Sequence, residues 1–219
     1  MHELTPDWYT PRKDLSKIDN ITEIIGTGIN NIKTITNFLS DEEIEEAMGY
    51  INQYKVNYEA THSYPIVVLP NYKHTEESKK FSAHMAEKFR SVAELLYGPE
   101  LILDQGFQLI VHPPGTYIDP HTDIIDIDDP DYDNDTYESQ LDQYPYLWSG
   151  HLSILGYLND DYEGGELYFP ELDYGIRPKR GMLIMFPGNL HYVHGVAPVK
   201  SGVRYTLSQW AKFKDFKIR

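Results

Sequence analysis

The pattern of apolar and polar positions divides the chain near residue 100. Before that point the apolar residues fall at helical spacing. Ser40-Asp41-Glu42-Glu43 has the form of a capping box, and Ile44, Ala47, Met48 and Ile51 follow three and four residues apart, which predicts a helix over about 41–53. A second helix is predicted from Thr75 to the Gly98-Pro99 pair, with Phe81, Met85, Phe89, Val92 and Leu96 as its single apolar stripe. A short alternating run, Ile32-Lys33-Thr34-Ile35-Thr36, predicts a strand. After residue 100 short apolar runs recur between Gly and Pro turn signals. They begin at Phe107, Leu152, Leu167, Met182 and Val203. Many short strands of this kind predict a sandwich or barrel, and helices placed before them would cover one sheet. The expected fold is mainly β with an α+β arrangement. It is a double-stranded β-helix (jelly roll) with N-terminal helices packed on the outer face of one sheet.

Residues 1–30 show little periodicity and read as an N-terminal arm. Residues 31–219 read as a single domain, because no linker divides them and no internal repeat is visible. The stretch 124–147 is rich in Asp and Tyr and holds no Lys or Arg, so it reads as an acidic insertion or lid between two strands.

Composition narrows the function classes. The 219 residues are 41% hydrophobic, enough for a substantial core without disulfides. There is no cysteine, which excludes disulfides, zinc–thiolate sites, iron–sulfur clusters and thiol catalysis. The formal net charge of −15 repels a phosphate backbone, so no nucleic-acid partner is expected. No apolar run reaches the roughly 18 residues of a membrane span, and Met1-His2-Glu3-Leu4-Thr5-Pro6 shows no signal peptide. No membrane association is expected, and the expected compartment is the cytoplasm.

The candidate chemistry sits in Asp119-Pro120-His121-Thr122-Asp123. On a strand, residues i and i+2 share a face, so His121 and Asp123 would present a ring nitrogen and a carboxylate side by side. Alone, the pair is weak evidence and reads as a loop histidine beside a solvated aspartate. A second histidine from another strand would complete a two-His, one-carboxylate set, which suits Fe(II) and leaves three coordination positions open. A 2-oxo acid needs two of these and dioxygen the third. Two histidines are candidates, His191 and His194. Ten residues after His194 comes Arg204, on a predicted strand with Thr206 and Ser208. Its planar fork suits a carboxylate such as the far end of 2-oxoglutarate.

Four blocks in this order carry a family resemblance. They are Pro120-His121-Thr122-Asp123, Ser153-Ile154-Leu155-Gly156-Tyr157-Leu158-Asn159, Gly164-Gly165-Glu166-Leu167-Tyr168-Phe169-Pro170, and His194-Gly195-Val196-Ala197-Pro198-Val199 with Gly202-Val203-Arg204-Tyr205 and Trp210. Over about residues 105–212 the chain resembles the prolyl 4-hydroxylase branch of the Fe(II)/2-oxoglutarate oxygenases. The resemblance implies that His121, Asp123 and His194, rather than His191, are the iron ligands. It implies that Arg204 binds the distal carboxylate of 2-oxoglutarate, with the Tyr157 hydroxyl beside it and Ser153 near the same carboxylate. His112 occupies a slot the family usually fills with a cofactor-reaching tyrosine. It is either a cofactor contact or an unrelated loop histidine. Tyr117 lies one position off a second family tyrosine.

The implied cofactors are Fe(II) and 2-oxoglutarate, with ascorbate as a possible reductant. The implied reaction uses dioxygen to hydroxylate an aliphatic C–H of a peptide, protein or small-molecule substrate, with a prolyl residue the first expectation. Succinate and carbon dioxide are the co-products. Asp123 as a ligand leaves no room for chloride and argues against a halogenase. Two rival readings stand beside this one. An inactive jelly-roll binding module would be free to lose a ligand, and a cupin-like dioxygenase would have no use for Arg204.

Overall fold

A computed structural model describes residues 23–26, 32–53, 65–69, 75–97, 101–103, 107–123, 151–188 and 192–213. The acidic stretch 124–147, His191 and all of the expected arm except 23–26 lie outside the described residues.

Two helices come early in the chain, as the pattern predicts. Helix α1 spans Asp41–Gln53 and α2 spans Glu76–Tyr97. The capping box forms: the Ser40 amide donates to Glu43 Oε2 at 2.8 Å, and the Glu43 amide donates to Ser40 Oγ at 3.2 Å. The Glu43 carboxylate also binds Lys88 of α2 at 2.7 Å, and the same ammonium donates to the Phe38 carbonyl at 2.8 Å. One side chain therefore starts α1 and ties it to α2.

The strands are β1 (Glu23–Gly26), β2 (Lys33–Thr36), β3 (Ile66–Leu69), β4 (Leu101–Leu103), β5 (Gln108–His112), β6 (Ile118–His121) and β7 (His151–Tyr157). They continue with β8 (Glu163–Gly164), β9 (Leu167–Phe169), β10 (Tyr174–Ile176), β11 (Leu183–Pro187), β12 (His194–Val196), β13 (Val199–Ser201) and β14 (Arg204–Phe213). The main sheet runs β1-β2-β11-β7-β14-β5-β3, with β4 also paired to β14. A second sheet runs β10-β9-β12-β6, and β13 pairs with β8 in a short ribbon. Strand β1 lies within the stretch that showed no periodicity. It pairs antiparallel with β2, where Ile24 meets Ile35.

Strand alternation builds two cores. Leu152 and Ile154 of β7, Leu183 and Met185 of β11, and Leu207 and Ala211 of β14 pack with Phe81, Met85, Phe89, Val92 and Leu96 of α2 and with Ile44, Ala47 and Ile51 of α1. The intervening residues face the second sheet. There Tyr157, Ile184 and Phe186 meet Leu167, Phe169 and Ile176. Strand β11 is buried on both faces, which is why its sequence is a continuous apolar run. Each fully buried Phe or Leu contributes roughly 1.5–3 kcal/mol through area removed from water. The fold is a jelly roll of two facing antiparallel sheets, with both helices on the outer face of the larger one. Among the described residues no helix is long and apolar enough to cross a membrane.

Strand β14 departs from an apolar interior. Leu207 and Ala211 pack toward the helices, while the alternate residues Arg204, Thr206 and Ser208 are buried on the other face. A buried polar face needs partners. Those partners define the candidate site.

Candidate metal centre and anion site

His121 ends β6, and His194 begins β12 directly opposite it in the antiparallel register. Their ring centroids are 4.5 Å apart. Asp123 lies two residues beyond the end of β6 and turns its carboxylate between them. Oδ1 is 3.4 Å from His121 Nε2, and Oδ2 is 3.5 Å from His194 Nε2. One donor atom from each residue lies within 4.8 Å of the others.

Both imidazoles are held in the same tautomer. His121 Nδ1 faces the Asp119 carbonyl at 2.9 Å, and His194 Nδ1 faces the Tyr192 carbonyl at 3.0 Å. A carbonyl only accepts, so each Nδ1 carries the proton and each Nε2, the atom turned toward Asp123, is the one free to ligate when it is deprotonated. Two imidazoles and one carboxylate fit a divalent first-row metal such as Fe(II). The His121 side chain is 39% exposed, against 5% for His194, so the cluster opens on the His121 side. Phe186 packs edge-on to His194 at 4.5 Å and walls the inner side. Gly195 is required by close packing, since a Cβ there would lie 2.7 Å from both the Ile118 carbonyl and the Tyr168 ring.

Burial pushes the Asp123 carboxyl up, but the hydrogen bond from His121, the charge of His194 and the Ser153 hydroxyl together hold it well below the usual carboxylate range. Burial alone would lower His121, and Asp123 raises it on balance. His194 is deeper, and burial keeps it below the ordinary histidine value. The cluster therefore holds an anionic carboxylate beside a neutral His194, the protonation that metal binding requires of both groups.

Ser153 Oγ donates to Asp123 Oδ2 at 2.5 Å. The family resemblance placed this hydroxyl near the distal carboxylate, but here it braces the metal-type cluster. Strand geometry supplies the reason. Tyr157 is four residues farther along β7, roughly 13 Å away at about 3.3 Å per residue. Ser153 pairs with Trp210 and Tyr157 with Thr206 across β14, so the two lie toward opposite ends of one polar face.

Arg204 marks the other end. It is 2% exposed, and its Nη2 donates to the Tyr157 hydroxyl at 3.3 Å. Among the described residues no carboxylate pairs with it, and its Nε has no hydrogen-bond partner. His112 is the last residue of β5 and sits opposite Arg204 in the register. It is a buried strand residue rather than a loop histidine. Burial, and then the Arg204 charge, push it well below the ordinary histidine value, and its Nδ1 is unpartnered. Burial pushes the Tyr157 phenol up to about 12 despite Arg204 pulling it down, so it remains a hydrogen-bond donor at neutral pH. Trp210 is half-buried opposite Ser153, and Tyr117 is half-buried beside β6. Sequence reasoning missed Tyr162, whose buried hydroxyl has the Arg204 guanidinium as its polar neighbour. The available signal was an aromatic residue in the polar turn between Asn159 and Gly164-Gly165.

Residues 107–212 match the 2OG-Fe(II) oxygenase superfamily. Human prolyl 3-hydroxylase 3 is 26% identical over 144 residues, covering 61% of this chain and 19% of that protein. The chain thus spans under a fifth of the length of the curated relatives it matches. Among solved structures, the viral collagen prolyl hydroxylase of Paramecium Bursaria Chlorella virus-1, in its 2OG complex, superposes with a TM-score of 0.56 at 23% identity, covering 84% of this chain and 97% of the other. A Trichoplax adhaerens prolyl hydroxylase, solved with a hypoxia inducible factor peptide fragment, gives 0.57 at 17% identity, covering 85% of each chain. With its jelly roll, its facing histidines and this match, the chain carries a 2OG-Fe(II) oxygenase domain over residues 107–212, with a fold like that of prolyl hydroxylases.

Proposed function

We propose that the chain is an Fe(II)- and 2-oxoglutarate-dependent dioxygenase that hydroxylates an aliphatic C–H, with prolyl residues of a peptide or protein as its substrate class. One observation carries the reading. The polar face of β7 and β14 meets, through Ser153 toward one end, a two-histidine, one-carboxylate donor set from the facing sheet, and toward the other end holds a buried guanidinium with no carboxylate partner among the described residues. That pairing suits a ligand that chelates metal at one end and carries a carboxylate at the other.

His121, Asp123 and His194 would hold the iron. When bound, iron would couple decarboxylation of the 2-oxo acid by dioxygen to hydroxylation, giving succinate and carbon dioxide, with ascorbate as the reductant that keeps it ferrous. Arg204 and the Tyr157 hydroxyl would donate to the distal carboxylate and set the orientation of the acid. His112, neutral at physiological pH, offers the bound acid a hydrogen bond without adding charge. Phe186 and Phe169 keep an apolar wall against His194. The exposed edge of His121 is the side from which a substrate side chain reaches the centre. The prolyl assignment follows the names of the relatives, and the ring position is read from the product.

The test is succinate release from protein loaded anaerobically with Fe(II) and then given 2-oxoglutarate and dioxygen. Proline-containing peptides, free amino acids and a lysate fraction serve as substrates. A peptide that gains one oxygen on a prolyl ring, with matching succinate, is the expected result. Succinate at the level of metal-free protein in every arm would identify an inactive binding module. A visible charge-transfer band on adding 2-oxoglutarate to the anaerobic Fe(II) protein checks chelation separately.

Ser153 gives a narrower expectation. Its hydroxyl restrains the Asp123 carboxylate, and such outer hydrogen bonds are worth about 10–100-fold in metal affinity. Ser153→Ala should weaken Mn(II) binding toward the lower end of that range, with 2-oxoglutarate affinity at saturating metal little changed. The opposite split would return Ser153 to the carboxylate end.

A further inference from the structure

We infer that Tyr162 is a ligand-binding residue of the same site, a second phenol that joins Tyr157 and Arg204 in holding the distal carboxylate of the acid. This rests on the proposed 2-oxoglutarate dependence and extends it to a residue outside the motifs that carried the resemblance.

Tyr162 follows β7 in the turn before β8 and is 4% exposed. Its hydroxyl is buried, has no well-formed hydrogen bond among the described residues, and has the Arg204 guanidinium as its polar neighbour, which can only donate and so leaves the phenol proton free. Burial raises its pKa and the Arg204 guanidinium beside it lowers it, so the phenol keeps its proton and faces a cation. A buried hydroxyl left unpaired is costly, and such groups are normally satisfied by protein, water or ligand. The residue is fixed in place. Arg177 Nη2 donates to the Tyr162 carbonyl at 3.2 Å. A Cβ on Gly165 (φ +66°) would lie 3.0 Å from Arg204 Cδ and 3.1 Å from Tyr162 Cε2, so that glycine lets the arginine stem and the phenol pack together. Arg204 Nε and Tyr162 Oη are both buried without a hydrogen-bond partner, no carboxylate among the described residues pairs with Arg204, and the Tyr157 hydroxyl lies against its Nη2. Such a cradle recognises one carboxylate and selects dicarboxylic over monocarboxylic 2-oxo acids.

Tyr162→Phe removes the hydroxyl and keeps the ring. With Mn(II) in place of iron, so that no turnover occurs, calorimetry should show 2-oxoglutarate binding weakened roughly five- to tenfold. Binding of oxalate, which chelates the metal and has no distal carboxylate, should be unchanged. The ligand-free variant should melt at or above the wild-type temperature, because a buried unpaired polar group has been removed. Equal 2-oxoglutarate affinity in the two proteins overturns the inference and leaves the proposed function standing. A matching loss of oxalate binding, or a lower melting temperature, also overturns it, since the phenol is then structural. Wild-type protein that takes up Mn(II) but no 2-oxoglutarate sinks both.

Discussion

Asp123→Ala is expected to lose stoichiometric metal binding and, with it, all succinate formation above background. The carboxylate is the only charged donor in the cluster and stands between the two imidazoles, 3.4 Å from one and 3.5 Å from the other. Without it, two neutral rings face each other with nothing to balance a divalent cation. Outer-shell partners alone are worth about 10–100-fold in metal affinity, so loss of a direct ligand should cost at least about 100-fold. The fold should survive. His121 and His194 remain fixed by their own Nδ1 bonds to Asp119 and Tyr192, and β6 still pairs with β12. Circular dichroism and melting should therefore stay near wild type while Mn(II) titration shows no tight site. A variant that still bound one metal ion with wild-type affinity would place the metal elsewhere.

Much of this site was legible in sequence, and the remainder was hidden for identifiable reasons. The helices were readable because the Ser40-Glu43 capping box and the Phe81-to-Leu96 stripe are local signals. Strand β11 was readable because both of its faces are buried. His121, Asp123, His194 and Arg204 were singled out because block order compensates for weak single motifs, and the structure brings the first three together. The route from His121 to Asp123 was not the expected one. Strand β6 ends at His121, so Asp123 reaches the cluster from beyond the strand end rather than along the pleat. Proline at position 120 favours such an edge strand with an early end. Ser153 and Tyr162 could not be placed because their partners are set by register. The Ser153 hydroxyl meets a residue 30 positions away, and Tyr162 meets Arg204 across a turn. Residue spacing alone does not encode pairing between strands so far apart in the chain. Strand β1 is four residues long and took its place from its partner β2 rather than from its own pattern.

Arg204→Met should move stability and ligand binding in opposite directions. Arg204 is 2% exposed and lacks a carboxylate among the described residues. Desolvating an ion costs several kcal/mol, and the Tyr157 hydroxyl at 3.3 Å, with its ring 5.0 Å from the guanidinium carbon, repays only part of that. Methionine fills similar volume without charge and leaves no large cavity. The ligand-free variant should therefore melt at or above the wild-type temperature. Binding should collapse, because two charge-assisted hydrogen bonds at about 1.5–3 kcal/mol each are lost, a drop of at least roughly 100-fold in 2-oxoglutarate affinity. Arg204→Lys should fall between the two, since it keeps the charge and loses the fork. Saturating 2-oxoglutarate with Mn(II) should raise the melting temperature of wild type by mass action and leave that of Arg204→Met unmoved. A methionine variant that melts lower and still binds the acid would make Arg204 a structural residue. The distal carboxylate would then need another partner. The reverse outcome would mean that the fold carries an uncompensated buried charge for the sake of its ligand.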